Sequence, residues 1–321
     1  MKLLIAGAES PTGHELVRLL QQQGVGHESI PTRLLDGDRS SLEQFVAGQR
    51  ADQLINLLRY EPASQRMLAA AEQDEATCAR VQRTYATLLA SIGDQFDLPL
   101  IHLSSCYVFD GEKRLGYNEQ DEVNPAGVYG RTTLQGELAV QQLEKHLIIR
   151  TGWHFGRRQH DVIKSWIDCC KDSGGKLQVL QRRFSPTPNE DVARVILAVC
   201  RQVDCDASVW GIYHYCGLET KKEIEFVQQV LKYASQHDGQ VYQFLDNFTM
   251  SETPTDPPEV KNSTLSSKKI FDTFGIKQRS WHGSLKAALK TIYRESTGND
   301  ADQQSEPLAG SPGSISSGGL H

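Results

Sequence analysis

No apolar run in the 321-residue chain approaches the ~20 residues that a membrane-spanning helix needs. The opening Met1-Lys2-Leu3-Leu4-Ile5-Ala6-Gly7 is apolar only briefly, too short for a secretory signal, and cytosol is the simplest expectation. Cysteine is scarce and unpatterned. The seven residues (Cys78, Cys106, Cys169, Cys170, Cys200, Cys205 and Cys216) are odd in number and form no Cys-x-x-Cys pair. That argues against a disulfide framework or a zinc site, and no metal is expected. Positive charge is also in deficit: a net charge of −6 gives no general attraction to phosphate backbones or anionic membranes. Neither nucleic acid nor a membrane is therefore an expected partner. What is present is an ordinary globular composition, 39% hydrophobic and 23% charged, in a chain long enough for two lobes.

Strand-like and helical patterns alternate through the first half. Lys2–Ala6 is a short apolar run, followed by a glycine turn and a helix whose buried face carries Leu16, Val17, Leu19 and Leu20. Next come Leu34-Leu35-Asp36, a helix near Ser41–Gly48 and the apolar run Leu54–Leu58. A long helical stretch follows over about Ala63–Phe96, then a strand at Leu98–Leu103, a helix at Val128–Glu144 and a strand at Leu147–Ile149. This rhythm predicts an α/β, Rossmann-type, doubly wound parallel sheet over residues 1–155, completed by parts of 184–215. A smaller substrate or partner lobe is expected over 156–295. It would contain helices at Val162–Cys170, Asp191–Gln202 and Lys222–Tyr233, strands at Leu177–Leu180 and Gly211–Tyr215, and a loop at Thr249–Glu259. Two short helices, Ser267–Phe274 and Ser284–Tyr293, would close the ordered part. From Ser296 the chain is rich in Ser, Gly and Asp with little to bury, so residues 296–321 are expected to be a disordered tail.

Gly7 and Gly13 bracket the turn between the first strand and the first helix, where backbone N–H groups at a helix N-terminus can hold a dinucleotide pyrophosphate. Ser10 stands where a third glycine is usual. With Pro11 behind it, Ser10 has the form of an N-cap, whose hydroxyl would take an N–H otherwise available to phosphate. A capped strand–helix turn without a ligand has the same form.

Beyond this turn, several ordered motifs resemble the dTDP-4-dehydrorhamnose reductase family, sugar-nucleotide reductases of the extended short-chain dehydrogenase/reductase kind. Ile101-His102-Leu103-Ser104-Ser105-Cys106-Tyr107-Val108-Phe109-Asp110-Gly111 is similar to the family's H-x-S-T-D-Y-V-F-D-G segment. Asn124–Thr132 resembles N-P-x-x-x-Y-G-R-T, Ile149–Trp153 resembles I-R-T-S-W, and Ser185-Pro186-Thr187 matches S-P-T. Asn262–Leu265 and Phe274–Ile276 match its C-terminal segment, so the likeness spans Lys2 to about Tyr293. The resemblance implies NADP or NAD as cofactor and a nucleotide-sugar ligand. It places Ser10, Pro11 and Thr12 at the pyrophosphate, and Asp36, Asp38 and Arg39 at the adenosine end. Leu58, Arg59 and Tyr60 would follow the strand beneath the nicotinamide side. Ser105 and Tyr129 would be the hydroxyl pair at the reacting carbonyl, with Ser104, Tyr107 and Trp153 on the sugar-nucleotide side. Arg33 could meet a 2′-phosphate, favouring NADP, or remain a solvated surface charge.

The catalytic pattern is broken. Reductases of this class place a lysine four residues after the tyrosine, on the same helix face. A free phenol ionises near pH 10, and an ammonium ~4 Å away at an effective dielectric of 20 is worth about 4 kcal/mol, or about three pKa units. Here that position is Thr133, and none of the ten tyrosines has a lysine at that spacing. Arg131 lies about 200° around the helix and cannot simply replace it. Cys106 replaces the family's aspartate, Glu259-Val260 replace Arg-Pro, and Ser10 replaces a glycine. These departures favour a degenerate member with weakened or lost reductase activity, acting as a sensor or regulatory subunit, in a homodimer or with another protein. The alternatives are an active NADPH-dependent reductase of a nucleotide-linked 4-keto sugar, and a ligand-free interaction module.

Overall fold

Strand β1 (Lys2–Ala6) leads through the glycine turn into helix α1 (Pro11–Gln22), and strands and helices then continue to alternate. The computed structural model describes residues 1–61, 67–157, 161–205, 208–246, 248–255 and 257–303. After α1 come β2 (Gly26–Ile30), α2 (Thr32–Asp36), α3 (Arg39–Gln49) and β3 (Gln53–Asn56). Helices α4 (Met67–Gln73) and α5 (Glu75–Ala79), a π-helical turn over Arg80–Thr84 and α6 (Tyr85–Gln95) lead to β4 (Leu100–Ser105). A 3-10 turn at Cys106–Val108 and a long loop precede α7 (Val128–Val140) and β5 (His146–Thr151). Then follow β6 (His154–Phe155), α8 (Asp161–Asp172), β7 (Lys176–Leu180), β8 (Arg183–Phe184), β9 (Thr187–Pro188), α9 (Asn189–Asp204) and β10 (Gly211–Tyr215). The described chain closes with β11 (Lys221–Lys222), α10 (Glu223–Ala234), α11 (Gly239–Phe244), β12 (Thr249–Thr253), α12 (Lys268–Phe274) and α13 (His282–Gln303).

Six strands form one sheet in the order β2-β1-β3-β4-β5-β10, and every neighbouring pair is parallel. The inner strands are buried on both faces, as a doubly wound sheet requires. Leu3, Ile5, Ile55, Ile101, Leu103 and Ile149 pack with α1, α9 and α12 on one side. Leu4, Ala6, Leu54, Leu100 and Ile148 pack with α3 and α6 on the other. The chain moves outward from β1 to β2 and then returns past β1 to β3. A crevice at the carboxyl ends of β1 and β3 follows from that reversal. The sixth strand comes from 211–215, so the second half of the sequence completes the sheet begun by the first. A separate apolar cluster around Phe155, Trp166, Phe226 and Trp281 unites α8, β7, α10 and α13.

The structure departs from the sequence reading at several places. Residues 26–30 form an edge strand that the pattern did not mark, because Gly26-His27-Glu28-Ser29-Ile30 buries only Ile30 and is held by backbone pairing with β1. Leu34-Leu35-Asp36 fall in α2. The single helix expected from Ala63 to Phe96 is divided: Asp74 caps a new start by accepting from Thr77 N (3.2 Å), and the π-helical turn inserts before α6. Residues 62–66 lie outside the described ones. Helix α7 stops at Val140 rather than Glu144. Within the expected loop at Thr249–Glu259, residues 249–253 pair in parallel with β7. Helix α13 continues past Ser296 to Gln303, and the rest of the expected tail, 304–321, lies outside the described residues. Among the described residues, no helix is long and apolar enough to cross a membrane.

Two histidines of the sheet are locked in the neutral form. Asn56 Nδ2 donates to His102 Nδ1 at 3.0 Å, and burial pushes the pKa of His102 down to about 4. His214 Nδ1 donates to the Tyr117 carbonyl at 3.1 Å, and burial together with the Arg150 cation lowers its pKa to about 3. Unfolded histidine ionises near pH 6.5, so as the pH falls the unfolded chain takes up these protons first. Stability is therefore complete above about pH 7 and is lost as the pH falls from about 6.5 toward 4. Urea unfolding between pH 7 and 4 should show about 3 kcal/mol of loss from His102 alone. His102→Gln should flatten that part of the profile.

Candidate functional site

The β1–α1 turn is built by close approach. Gly7 has φ +82°, and a Cβ there would lie 2.8 Å from the Leu57 and Leu58 backbone; at Gly13 it would lie 2.2 Å from the Gly7 carbonyl. Ser10 is the N-cap of α1: its hydroxyl donates to Gly7 O (2.8 Å) and accepts from Gly13 N (3.0 Å), with Pro11 following at the first helical position. Thr12 Oγ1 donates to Asn189 Oδ1 at 2.8 Å, joining the N-termini of α1 and α9. The residues expected at the adenosine end are divided. Arg33 is exposed on α2, and Asp36 at the end of that helix accepts from the Tyr85 hydroxyl at 2.5 Å. Asp38 is instead occupied as the N-cap of α3. Bonds from the Ser41 hydroxyl (2.7 Å) and backbone N–H (2.9 Å) hold its carboxyl below the usual carboxylate range. Arg39 pairs with Glu43 (2.6 Å) and Gln95 (2.9 Å) on the surface of α3. Leu58 is buried, with its N–H on Asn56 Oδ1 at 3.0 Å.

Tyr129 stands on the first turn of α7 with its side chain buried. The helix can come this close to the end of β4 because residue 130 is glycine; a Cβ there would be 2.2 Å from the Tyr107 carbonyl. The rings of Tyr107 and Tyr129 meet edge-on at 5.9 Å. Deeper along the helix, Glu137 accepts from Arg150 on β5 through two guanidinium nitrogens (2.9 and 2.6 Å), both residues being buried. Ser104 also gives its hydroxyl to Glu137, so it faces inward and braces α7 rather than a ligand. Ser105, on the opposite side of the strand, ends β4 and accepts from Tyr107 N at 3.3 Å.

Thr133 is buried, and its hydroxyl is committed: it donates to the Tyr129 carbonyl (2.8 Å) and accepts from Gln82 Nε2 (2.6 Å). Gln82 lies in the π-helical turn, and its Oε1 accepts from Tyr60 N at 3.3 Å. Its carboxamide thus fills the space next to Thr133. A charge nevertheless reaches Tyr129 from elsewhere in the chain. From the end of β3, Arg59 Nη2 donates to Tyr129 Oη at 3.3 Å, and Nη1 donates to His154 Nδ1 at 2.5 Å. Burial works against the charge of Arg59, yet the facing Tyr129 oxygen, Glu61 and Cys106 hold the guanidinium above the usual arginine range. Burial and this cation keep His154 well below the usual histidine range, so its unprotonated Nδ1 accepts from Arg59. Its Nε2 donates to Thr151 Oγ1 (2.7 Å), which donates to Ser104 O (3.0 Å). Burial pushes the Cys106 thiol up to about 11, which leaves a neutral group at that position.

Trp153 packs against the cluster of Phe155, Trp166 and Phe226, its ring 5.2 Å from Phe184 and 5.6 Å from Phe226. Beside Phe184, Arg182 is held by Glu223 and, at 2.7 Å, by Glu259. The acidic Glu259 is thus one of three charged groups clustered next to Tyr107, whose hydroxyl is raised by burial against the lowering influence of Arg182. A cavity of about 550 Å³ opens beside the Ser185–Thr187 segment and shares Cys216 with the cluster around Tyr129. Among the described residues, no group of three or more His, Cys, Asp and Glu is arranged to hold a metal.

Comparison with known proteins agrees with this architecture. Residues 1–294 match the family model described as the RmlD substrate binding domain. The chain belongs to that family. A dTDP-4-dehydrorhamnose reductase from Sinorhizobium fredii is 28% identical over 267 residues, covering 82% of this chain and 87% of its own. A solved dTDP-4-dehydrorhamnose reductase from Clostridium acetobutylicum superposes with a TM-score of 0.77 at 24% identity, over 91% of this chain and 99% of its own. Another, from Bacillus anthracis in complex with NADP, gives 0.71 at 23% identity, over 89% and 96%.

The sequence reading missed Gln82, Glu137 and His154. Gln82 reaches the site only through the π-helical turn, for which the local residues carry no pattern, and a lone histidine or glutamate gives no signal before its partner in space is known. Their weight is measurable. Glu137→Ala leaves the Arg150 guanidinium buried without its partner, which should cost about 3–5 kcal/mol in urea unfolding.

Proposed function

We propose that the protein binds NADP or NAD across the β1–α1 turn and reduces the keto group of a nucleotide-linked sugar, with Tyr129 as proton donor. The placement of Tyr129 carries this reading. It is buried on the first turn of α7, bonded to Arg59 from the end of β3 and packed on Tyr107 from the end of β4. Its hydroxyl therefore faces the carboxyl edge, where sheets of this order bind dinucleotides. The turn suits such a group, since Gly7 and Gly13 let the backbone close tightly at the positive end of the α1 dipole. Gly7, Thr12 and Gly13 would border the pyrophosphate, and Arg33 and Asp36 the adenosine. A bound reduced nicotinamide supplies the hydride. The chain's own groups hold the sugar and deliver the proton: the Ser105 and Tyr129 hydroxyls meet the carbonyl oxygen, and Trp153 walls the sugar-nucleotide side. The relatives named as dTDP-4-dehydrorhamnose reductases and the neighbour in complex with NADP support the substrate and cofactor classes.

The test is turnover of a dTDP-4-dehydro sugar with NADPH and with NADH at neutral pH. Tyr129→Phe should lower kcat by about 10²–10⁴-fold. A second reading, a sensor or regulatory subunit with little turnover, is favoured by Gln82 beside Thr133 and by the Ser10 cap. Dinucleotide binding without turnover would select it, and absence of binding at millimolar ligand would remove both. Ser10→Gly frees the Gly13 N–H for phosphate, so dinucleotide binding followed by fluorescence should tighten about tenfold, the worth of one charge-assisted hydrogen bond.

A further inference from the structure

We infer that Arg59 is a catalytic residue, the fixed cation that takes the place of the missing lysine at the Tyr129 oxygen. The inference rests on the reductase reading above and names the charge that reading lacks. Four features of the geometry carry it. Arg59 Nη2 donates to Tyr129 Oη, the atom that must lose a proton. The guanidinium is not free to swing away, because Nη1 is bound to His154 Nδ1. His154 can serve only as an acceptor there, since its Nε2–H is given to Thr151, whose own hydroxyl is given to Ser104 O. Asn189, which accepts from Thr12 of the β1–α1 turn, also interacts with the ring, so the positioning chain runs from that turn to the tyrosine. His154 is thus a positioning residue.

The route is unlike the helical spacing of tyrosine and lysine. The charge comes from the loop after β3 and crosses the carboxyl end of β4, so the Thr133 position is left to neutral packing against Gln82. An arginine suits this placement because its two outer nitrogens can engage two partners at once and its charge persists when enclosed. In the step itself, the substrate carbonyl carbon receives hydride from the reduced nicotinamide while the Tyr129 O–H bond breaks. The proton passes to the carbonyl oxygen, giving an alcohol and an oxidised nicotinamide. The phenolate remains beside Arg59 until water returns a proton. The other ionisable groups around this pair are Cys106, a neutral thiol, neutral His154 and Glu61, all of which interact with Arg59, and Tyr107, a neutral phenol that interacts with Tyr129.

Two measurements test the assignment on the full chain. In steady-state turnover, Arg59→Met should lower kcat at neutral pH by about 10²-fold or more, with activity recovering toward alkaline pH, whereas Arg59→Lys should retain at least a tenth of the wild-type rate. Independently of turnover, the near-ultraviolet phenolate titration of Tyr129, isolated as wild type minus Tyr129→Phe, should move upward by about one pH unit or more in Arg59→Met. If Arg59→Met fails to fold, Arg59→Gln, which keeps an amide donor without the charge, takes its place in both measurements. An inactive wild type would overturn the reductase reading while the titration still decides the Arg59–Tyr129 coupling. An unchanged titration, or equal loss of kcat in the Lys and Met variants, would overturn the assignment of Arg59.

Discussion

The seating of helix α7 depends on the buried pair between Glu137 and Arg150. The carboxylate takes two guanidinium bonds and the Ser104 hydroxyl, which ties one helix to two adjacent strands, β4 and β5. An ion pair removed from water is weak evidence of net stabilisation, but breaking one side of it is costly, and that cost makes the register of the helix specific. One turn of sliding would strand both charges. With Glu137 fixed, Tyr129 is carried two helical turns away to the carboxyl edge of the sheet, and Gly130 and Gly136 allow the close contacts with Tyr107 O and Gln82 O that keep it there.

The same edge collects the other polar groups. The inner strands are buried on both faces, so side chains that need water or a ligand can emerge only at strand ends and in the loops that follow. Arg59, Ser105, Tyr107 and His154 all sit at or just beyond such ends. Next to them, Trp153, Phe184 and Phe226 form an aromatic wall, and Arg182 is held by Glu223 and Glu259 close to Tyr107. Glu259 thus meets a cation from the start of another strand. Arg59 beyond β3 and Arg182 at the start of β8 each bring a charge to a partner distant in sequence.

The fold was legible because it repeats a simple rule. Apolar runs such as Leu3–Ala6, Leu54–Leu58 and Leu100–Leu103 are broken only by Asn56 and His102, which bond to each other, as strands covered on both faces require, and the helices between them carry one apolar stripe. The elements that escaped were those whose burial is slight. β2 and β12 are held by backbone pairing, and backbone hydrogen bonds leave little mark on residue type. The cap at Ser10 could be read directly, since an N-cap followed by proline is a local interaction among neighbours in the chain.

The sequence by itself determined the doubly wound sheet, the family, the threonine rather than lysine at position 133 and the presence of Tyr129 and Ser105 at strand and helix ends. All of these follow from short-range pattern or from ordered motifs. Only the tertiary structure decided that Ser104 braces Glu137, that Asp38 and Arg39 serve helix α3, and that Gln82 occupies the space beside Thr133. It alone brought Arg59 to Tyr129 across 70 residues of chain. The physical reason is that an electrostatic contact depends on distance in space, and a long side chain can deliver its charge from any strand that ends at the same edge.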